Sequence, residues 1–186
     1  MKPGEIIKTF TSKSGEEVIL RYPKKEDLDE LLFYINELSK EDTYIRFSGE
    51  VISRDSEKKF LDKTVDNIMK GDAVMVCAFI NNHLIGVSGI ERNTENKQRS
   101  RHIGDFGISL RKDFRGNGIG RVLLQTVLAE SKKLPNLAMT ALSVFATNIA
   151  AQKLYISGGF IIYGRLPGGV LHRGKYVDLI SMYKKL

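Results

Sequence analysis

Past the middle of the chain, the run Arg115-Gly116-Asn117-Gly118-Ile119-Gly120 has the composition of an anion cradle. Glycines lack a Cβ, so the backbone there can turn tightly and approach a ligand closely. Apolar residues Val122, Leu123, Leu124, Val127 and Leu128 follow at helical spacing. A helix starting at the glycines points its first N–H groups and the positive end of its dipole back at them. Phosphate or pyrophosphate suits such a place, and Arg115 and Arg121 would add charge-assisted donors. A Walker loop is excluded, because Arg121-Val122 follows the glycines where Lys and Ser or Thr are needed. A dinucleotide fingerprint needs G-x-G-x-x-G after an early strand, whereas this run is G-x-G-x-G and comes late.

The elements that would hold this loop follow from apolar periodicity. Val18 to Tyr22 predicts a strand ended by Pro23. Leu28, Leu31, Leu32, Ile35 and Leu38 recur at spacings of three and four, one face of a helix. Ser39 and Asp42 form an S-x-x-D pattern that could start a second short helix. Asp55 is a candidate cap for another helix, with Phe60, Leu61, Val65, Ile68 and Met69 inward and Gly71 at its end. Ala73 to Ile80, the Asn81-Asn82 turn and His83 to Ile90 predict a β-hairpin. Asn93 to Arg101 is polar and predicts a loop. A strand over Ile103 to Leu110, a helix over Val122 to Leu134, a buried strand over Leu137 to Phe145 and a short helix over Asn148 to Ser157 follow. Phe160 to Arg165 and Lys175 to Tyr183 predict strands joined by a Pro167-Gly168-Gly169 loop. The order β-α-α-β-β-β-α-β-α-β-β implies an α/β domain: a mixed seven-stranded sheet with helices on both faces. No repeat or linker interrupts residues 1–186, which read as a single domain.

Composition bounds the function. A chain of 186 residues, 42% hydrophobic and 27% charged, buries a real core and is neither disordered nor collagen-like. The single cysteine, Cys77, excludes an internal disulfide and a cysteine-based zinc site, and it reads as a small core residue. His83, His102 and His172 lack metal spacing. Apolar runs are too short to span a bilayer, and MKPGEIIKTF lacks the core of a signal peptide, so the expected setting is cytoplasmic. The formal net charge of +7 favours anionic partners without choosing among them. No nucleic-acid signature accompanies it, so nucleic acid is not expected.

The motif R-x-x-G-x-G at Arg115 to Gly120, opened by a strand and closed by a helix, resembles the acetyl-CoA motif of the GNAT N-acetyltransferase superfamily. Asn148-x-x-Ala151-x-x-Leu154-Tyr155-x-x-x-Gly159-Phe160, about thirty residues on, resembles the second hallmark of that superfamily. Lys112 stands where the family often has proline. The likeness extends loosely from Val18 to the last strand.

The resemblance implies the GNAT acyl-CoA N-acyltransferase fold, with two parallel strands, Ile103 to Leu110 and Leu137 to Phe145, that splay apart around acetyl-CoA. Backbone groups of Ile108 and Leu110 would bond the pantetheine. The amides of Gly116, Asn117, Gly118, Ile119, Gly120 and Arg121 would hold the pyrophosphate. Asn148 would sit with its amide near the pantetheine; it can also cap its helix, for which asparagine is a good choice, and both can hold. Tyr155 matches the tyrosine that protonates the leaving thiolate; a phenol of pKa ~10 is protonated at neutral pH. No metal is implied.

The amine must attack in its neutral form. For a lysine, with pKa ~10.4, that costs about 4.6 kcal/mol at pH 7, and for a protein α-amine, near ~7.7, only about 1 kcal/mol. A lysine or polyamine therefore needs a base. Alternation sets Asp105, Gly107 and Ser109 on one face of their strand, and burial of Asp105 would suit it to the task. Glu91 is the second candidate; His102 reads as a surface residue. Leu38 to Phe47 resembles a segment of GNAT protein-lysine acetyltransferases, which puts a protein lysine first among acceptors, ahead of small amines, polyamines and protein N-termini. A non-catalytic acyl-CoA sensor is the alternative of another class. Lys175 to Tyr183 is apolar on both faces, as a doubly covered strand or a homodimer interface would be.

Overall fold

The computed structural model describes residues 1–45, 47–92 and 98–186. Arg46 of the 38–47 segment and residues 93–97 of the expected loop lie outside the described residues. One mixed sheet organises the chain, in the order β1-β2-β3-β4-β5-β6-β8-β7. It has eight strands rather than seven. The addition is β1, Ile6–Thr11, an edge strand paired only with β2, Glu17–Arg21. Its alternation is weak because most of it stays in solvent.

The hairpin β3, Ala73–Ile80, and β4, His83–Arg92, forms as the sequence predicts. Asn81 and Asn82 take φ of 49° and 65°, the left-handed pair that a tight hairpin turn needs. Every residue of β3 is buried, which explains its unbroken apolar run. Helices α1, Leu28–Lys40, and α2, Arg54–Lys70, cover one face around Met75, Cys77 and Phe79. The second helix expected at Ser39 does not form. Ser39 is buried at the end of α1, where its hydroxyl donates to the Glu50 carbonyl and accepts from the Gly49 N–H. Ser53, not Asp55, caps α2 by accepting from the Ser56 N–H. Leu61, Val65 and Ile68 turn inward as expected, but Phe60 and Met69 are exposed. Gly71 ends the helix at φ 74°.

On the opposite face α3, Ile119–Ser131, packs mainly across β3 and β4, and α4, Ile149–Ser157, joins the same core beside β5, Ile103–Leu110, and β6, Met139–Phe145. β7, Ile161–His172, and β8, Lys175–Lys185, complete the sheet. The expected loop at Pro167-Gly168-Gly169 is instead an irregularity inside β7. The register breaks between Leu166 and Val170 and then resumes, so the hairpin turns at Arg173-Gly174.

Candidate active site

The parallel strands β5 and β6 pair at only three positions: Ile103 with Met139, Gly104 with Thr140 and Asp105 with Ala141. Beyond them β5 continues on β4 and β6 continues on β8. A gap therefore opens between the remaining halves of the two strands. The Arg111 N–H donates to Ile85 at 2.9 Å, on the β4 side. Backbone direction alternates along a strand, so the peptide groups of Ile108 and Leu110 face the gap. The Leu110 carbonyl already accepts from Arg115 Nε at 2.8 Å.

At the mouth of the gap the chain turns through Gly116 and Gly118, both left-handed, at φ 83° and 82°. Gly118 is the N-cap of α3 and offers no side chain to its free amides. The N–H groups of Gly116, Asn117, Gly118, Ile119 and Gly120 find no acceptor among the described residues. The Arg121 N–H differs from the other five expected phosphate donors, since it donates to the Gly118 carbonyl at 3.1 Å. A methyl on Gly116 would meet nothing within 4 Å, so the turn is uncrowded there. Five unpartnered amides, two left-handed glycines and a helix N-terminus make an anion nest, and the strand gap beside it can take an extended chain. Both features fit a coenzyme A moiety.

Arg115 is not free to serve the nest as the sequence suggests. Its guanidinium meets Glu41 Oε2 at 2.5 Å, and Glu41 Oε1 also accepts from the Lys112 N–H. The opposite rim carries Lys13, from the β1–β2 turn. Its N–H donates to the Asn117 carbonyl at 3.1 Å. Glu41 and Lys13 are far from the loop in sequence and are joined to it only by the fold.

Asn148 caps α4, its side chain accepting from the Ala151 N–H at 3.1 Å. Tyr155 lies on α4 at 7% exposure, with its ring centroid 5.9 Å from both Phe106 and Phe160. Burial pushes its phenol up to about 12. Its hydroxyl has no protein partner among the described residues, and it is not one of the occluded, unpartnered polar atoms.

The candidate bases lie on the other face. Asp105 is exposed rather than buried, because α1 and α2 cover β3 and β4 and stop short of it. Its cross-strand neighbour Glu91 is tied to α2, accepting from Asn67 Nδ2 at 3.0 Å with Lys63 Nζ at 3.6 Å. Ser109 is the one β5 side chain on this face bonded to α1, through Tyr34 at 2.8 Å. His102 is exposed at the start of β5. Cys77 is fully buried, and burial pushes its thiol up, away from reactivity.

At the far end of β6 the structure assembles an aromatic wall that no spacing announced. Tyr44, Phe145 and His172 lie with ring centroids 5.1 to 5.6 Å apart. His172 Nε2 is occluded and has no hydrogen-bond partner. Asp42, next to Glu41, accepts from Arg173 at the β7–β8 turn. The segment after α1 thus touches both the glycine loop and the β7–β8 hairpin.

Residues 32–160 match the acetyltransferase (GNAT) family model. The chain belongs to that family. Among solved structures, a GNAT-family acetyltransferase from Streptococcus pneumoniae is 27% identical with a TM-score of 0.83, over 91% of this chain and 99% of that one. The ribosomal L7/L12 alpha-N-protein acetyltransferase RimL, in complex with coenzyme A, shares the fold at 17% identity, with a TM-score of 0.78 and 98% coverage of both chains. The L-amino acid N-acetyltransferase AaaT of Escherichia coli (strain K12) is 28% identical over 90 residues. That alignment covers 48% of this chain and 56%, about half, of AaaT.

Proposed function

We propose that the chain transfers an acetyl group from acetyl-CoA to an α-amino group, of a free amino acid or of a polypeptide N-terminus. The single observation that carries the donor is the row of five unpartnered amides beside the open β5–β6 gap. Acetyl-CoA supplies the activated acyl group. The amides of Gly116 to Gly120 bind its pyrophosphate, and the peptide groups of Ile108 and Leu110 align the pantetheine as a strand would. The amine nitrogen forms a bond to the acetyl carbon as the carbon–sulfur bond breaks. Tyr155 gives its proton to the departing sulfur. The amine's proton leaves through water toward Asp105 on the exposed face, with Glu91 behind it.

The choice of acceptor rests on that exposed face. Water-borne carboxylates are modest bases, and an α-amine near ~7.7 asks little of them, whereas a lysine asks about 4.6 kcal/mol. The names of AaaT and RimL lend the same support. A protein lysine is the alternative acceptor, on the resemblance carried by the segment from Leu38 to Phe47. Tyr44, Phe145 and His172 form the wall against which the acceptor's side chain packs.

Thiol release from acetyl-CoA, measured with L-amino acids, short peptides with free N-termini, N-blocked lysine peptides and polyamines, tests this. The α-amines are expected to turn over at least tenfold faster in kcat/KM than the blocked lysine peptides. The reverse order overturns the acceptor, and tight acetyl-CoA binding with no turnover across the panel favours a sensor.

A further inference from the structure

We infer that Lys13 is a phosphate-gripping arm of the coenzyme site, reaching over the glycine turn from the β1–β2 hairpin; this rests on the reading of acetyl-CoA as donor. The turn that carries it is well built. Ser12 N–H donates to the Glu16 carbonyl at 2.8 Å, Glu16 N–H donates to Ser12 Oγ at 3.1 Å, and Gly15 takes φ 89°. Lys13 is fastened to the nest by its own N–H, on the Asn117 carbonyl. Its side chain then lies along the loop: Cγ and Cε are 3.7 Å, and Cδ 3.9 Å, from where a Cβ on Gly118 would stand.

The ammonium at the end of that stem is therefore held at the rim of five free amides. Among the described residues it forms no ion pair. The nearby acid Glu16 is engaged by the Ser14 hydroxyl at 3.0 Å. The loop's own arginine is neutralised by Glu41. With Arg115 paired, Lys13 brings a further unpaired cation from a distant hairpin, beside Arg121, which forms no ion pair among the described residues either. A lysine ammonium, a compact point charge on a flexible stem, suits a phosphate oxygen.

Calorimetric titration with coenzyme A and with dephospho-coenzyme A, on the wild type and the Lys13→Gln and Lys13→Arg variants, tests this. Lys13→Gln keeps most of the stem and removes the charge. It is expected to weaken coenzyme A binding ~5–30-fold, and Lys13→Arg to stay within about threefold of the wild type. A penalty shared by dephospho-coenzyme A assigns the ammonium to the pyrophosphate; one confined to coenzyme A assigns it to the 3′-phosphate. Lys13→Gln binding coenzyme A as the wild type does, or both variants losing affinity equally, overturns the inference and leaves the donor reading intact. A wild type that fails to bind coenzyme A overturns the donor reading itself.

Discussion

Tyr155 packs edge-on against Phe106, and burial moves its phenol up to about 12. An acid is useful while it is protonated, so a raised value extends its working range upward. No descending limb of kcat from this group is expected below about pH 11. Replacing Tyr155 with Phe leaves the ring contacts intact and removes only the proton. A general acid contributes on the order of 10²-fold or more, so kcat should fall about a hundredfold with KM little changed. A loss confined to KM would mean that the hydroxyl binds rather than reacts. The sequence showed Tyr155, because its motif is local. It showed the face of Asp105, because alternation is local too. It did not show the exposure of Asp105, which depends on where α1 and α2 come to rest. Arg115 misled for the same reason, since its partner Glu41 is met only through the fold.

At the scale of elements, the gap exists because pairing between β5 and β6 stops after Asp105 and Ala141. What keeps it from running further back is close packing at Gly104. A methyl there would stand 2.4 Å from Ile90 Cγ2 and 3.3 Å from Leu137 Cδ1. Ile90 is fully buried and stiff at χ1, so it cannot swing aside. Gly104→Ala should cost about 2 kcal/mol in urea unfolding; a neutral effect would show that the paired stem tolerates spreading. The hairpin β3–β4 and the glycine end of α2 were legible because short-range turn chemistry defines them. β1 was not, since an edge strand keeps too few buried positions to show alternation. The irregularity at Pro167-Gly168-Gly169 looked like a loop because its residues are loop residues; only the ladder on β8 shows that the strand resumes.

At the scale of the whole molecule, the sheet brings together a late glycine turn, an early hairpin and the segment after α1. The glycine turn announced itself in the sequence. Its neighbours did not, because contacts between distant segments leave no periodicity in either one. The central claim is that this turn and the gap beside it bind the acetyl donor. Calorimetric titration of acetyl-CoA into the wild type and into a Gly116→Ala, Gly118→Ala variant tests it most directly. Each substitution forces an L-residue into left-handed backbone at ~1–2 kcal/mol, and the turn relaxes at the expense of its unpartnered amides. Micromolar binding by the wild type, weakened at least tenfold in the variant, is the predicted result. No binding by the wild type, or equal binding by both, would contradict the account.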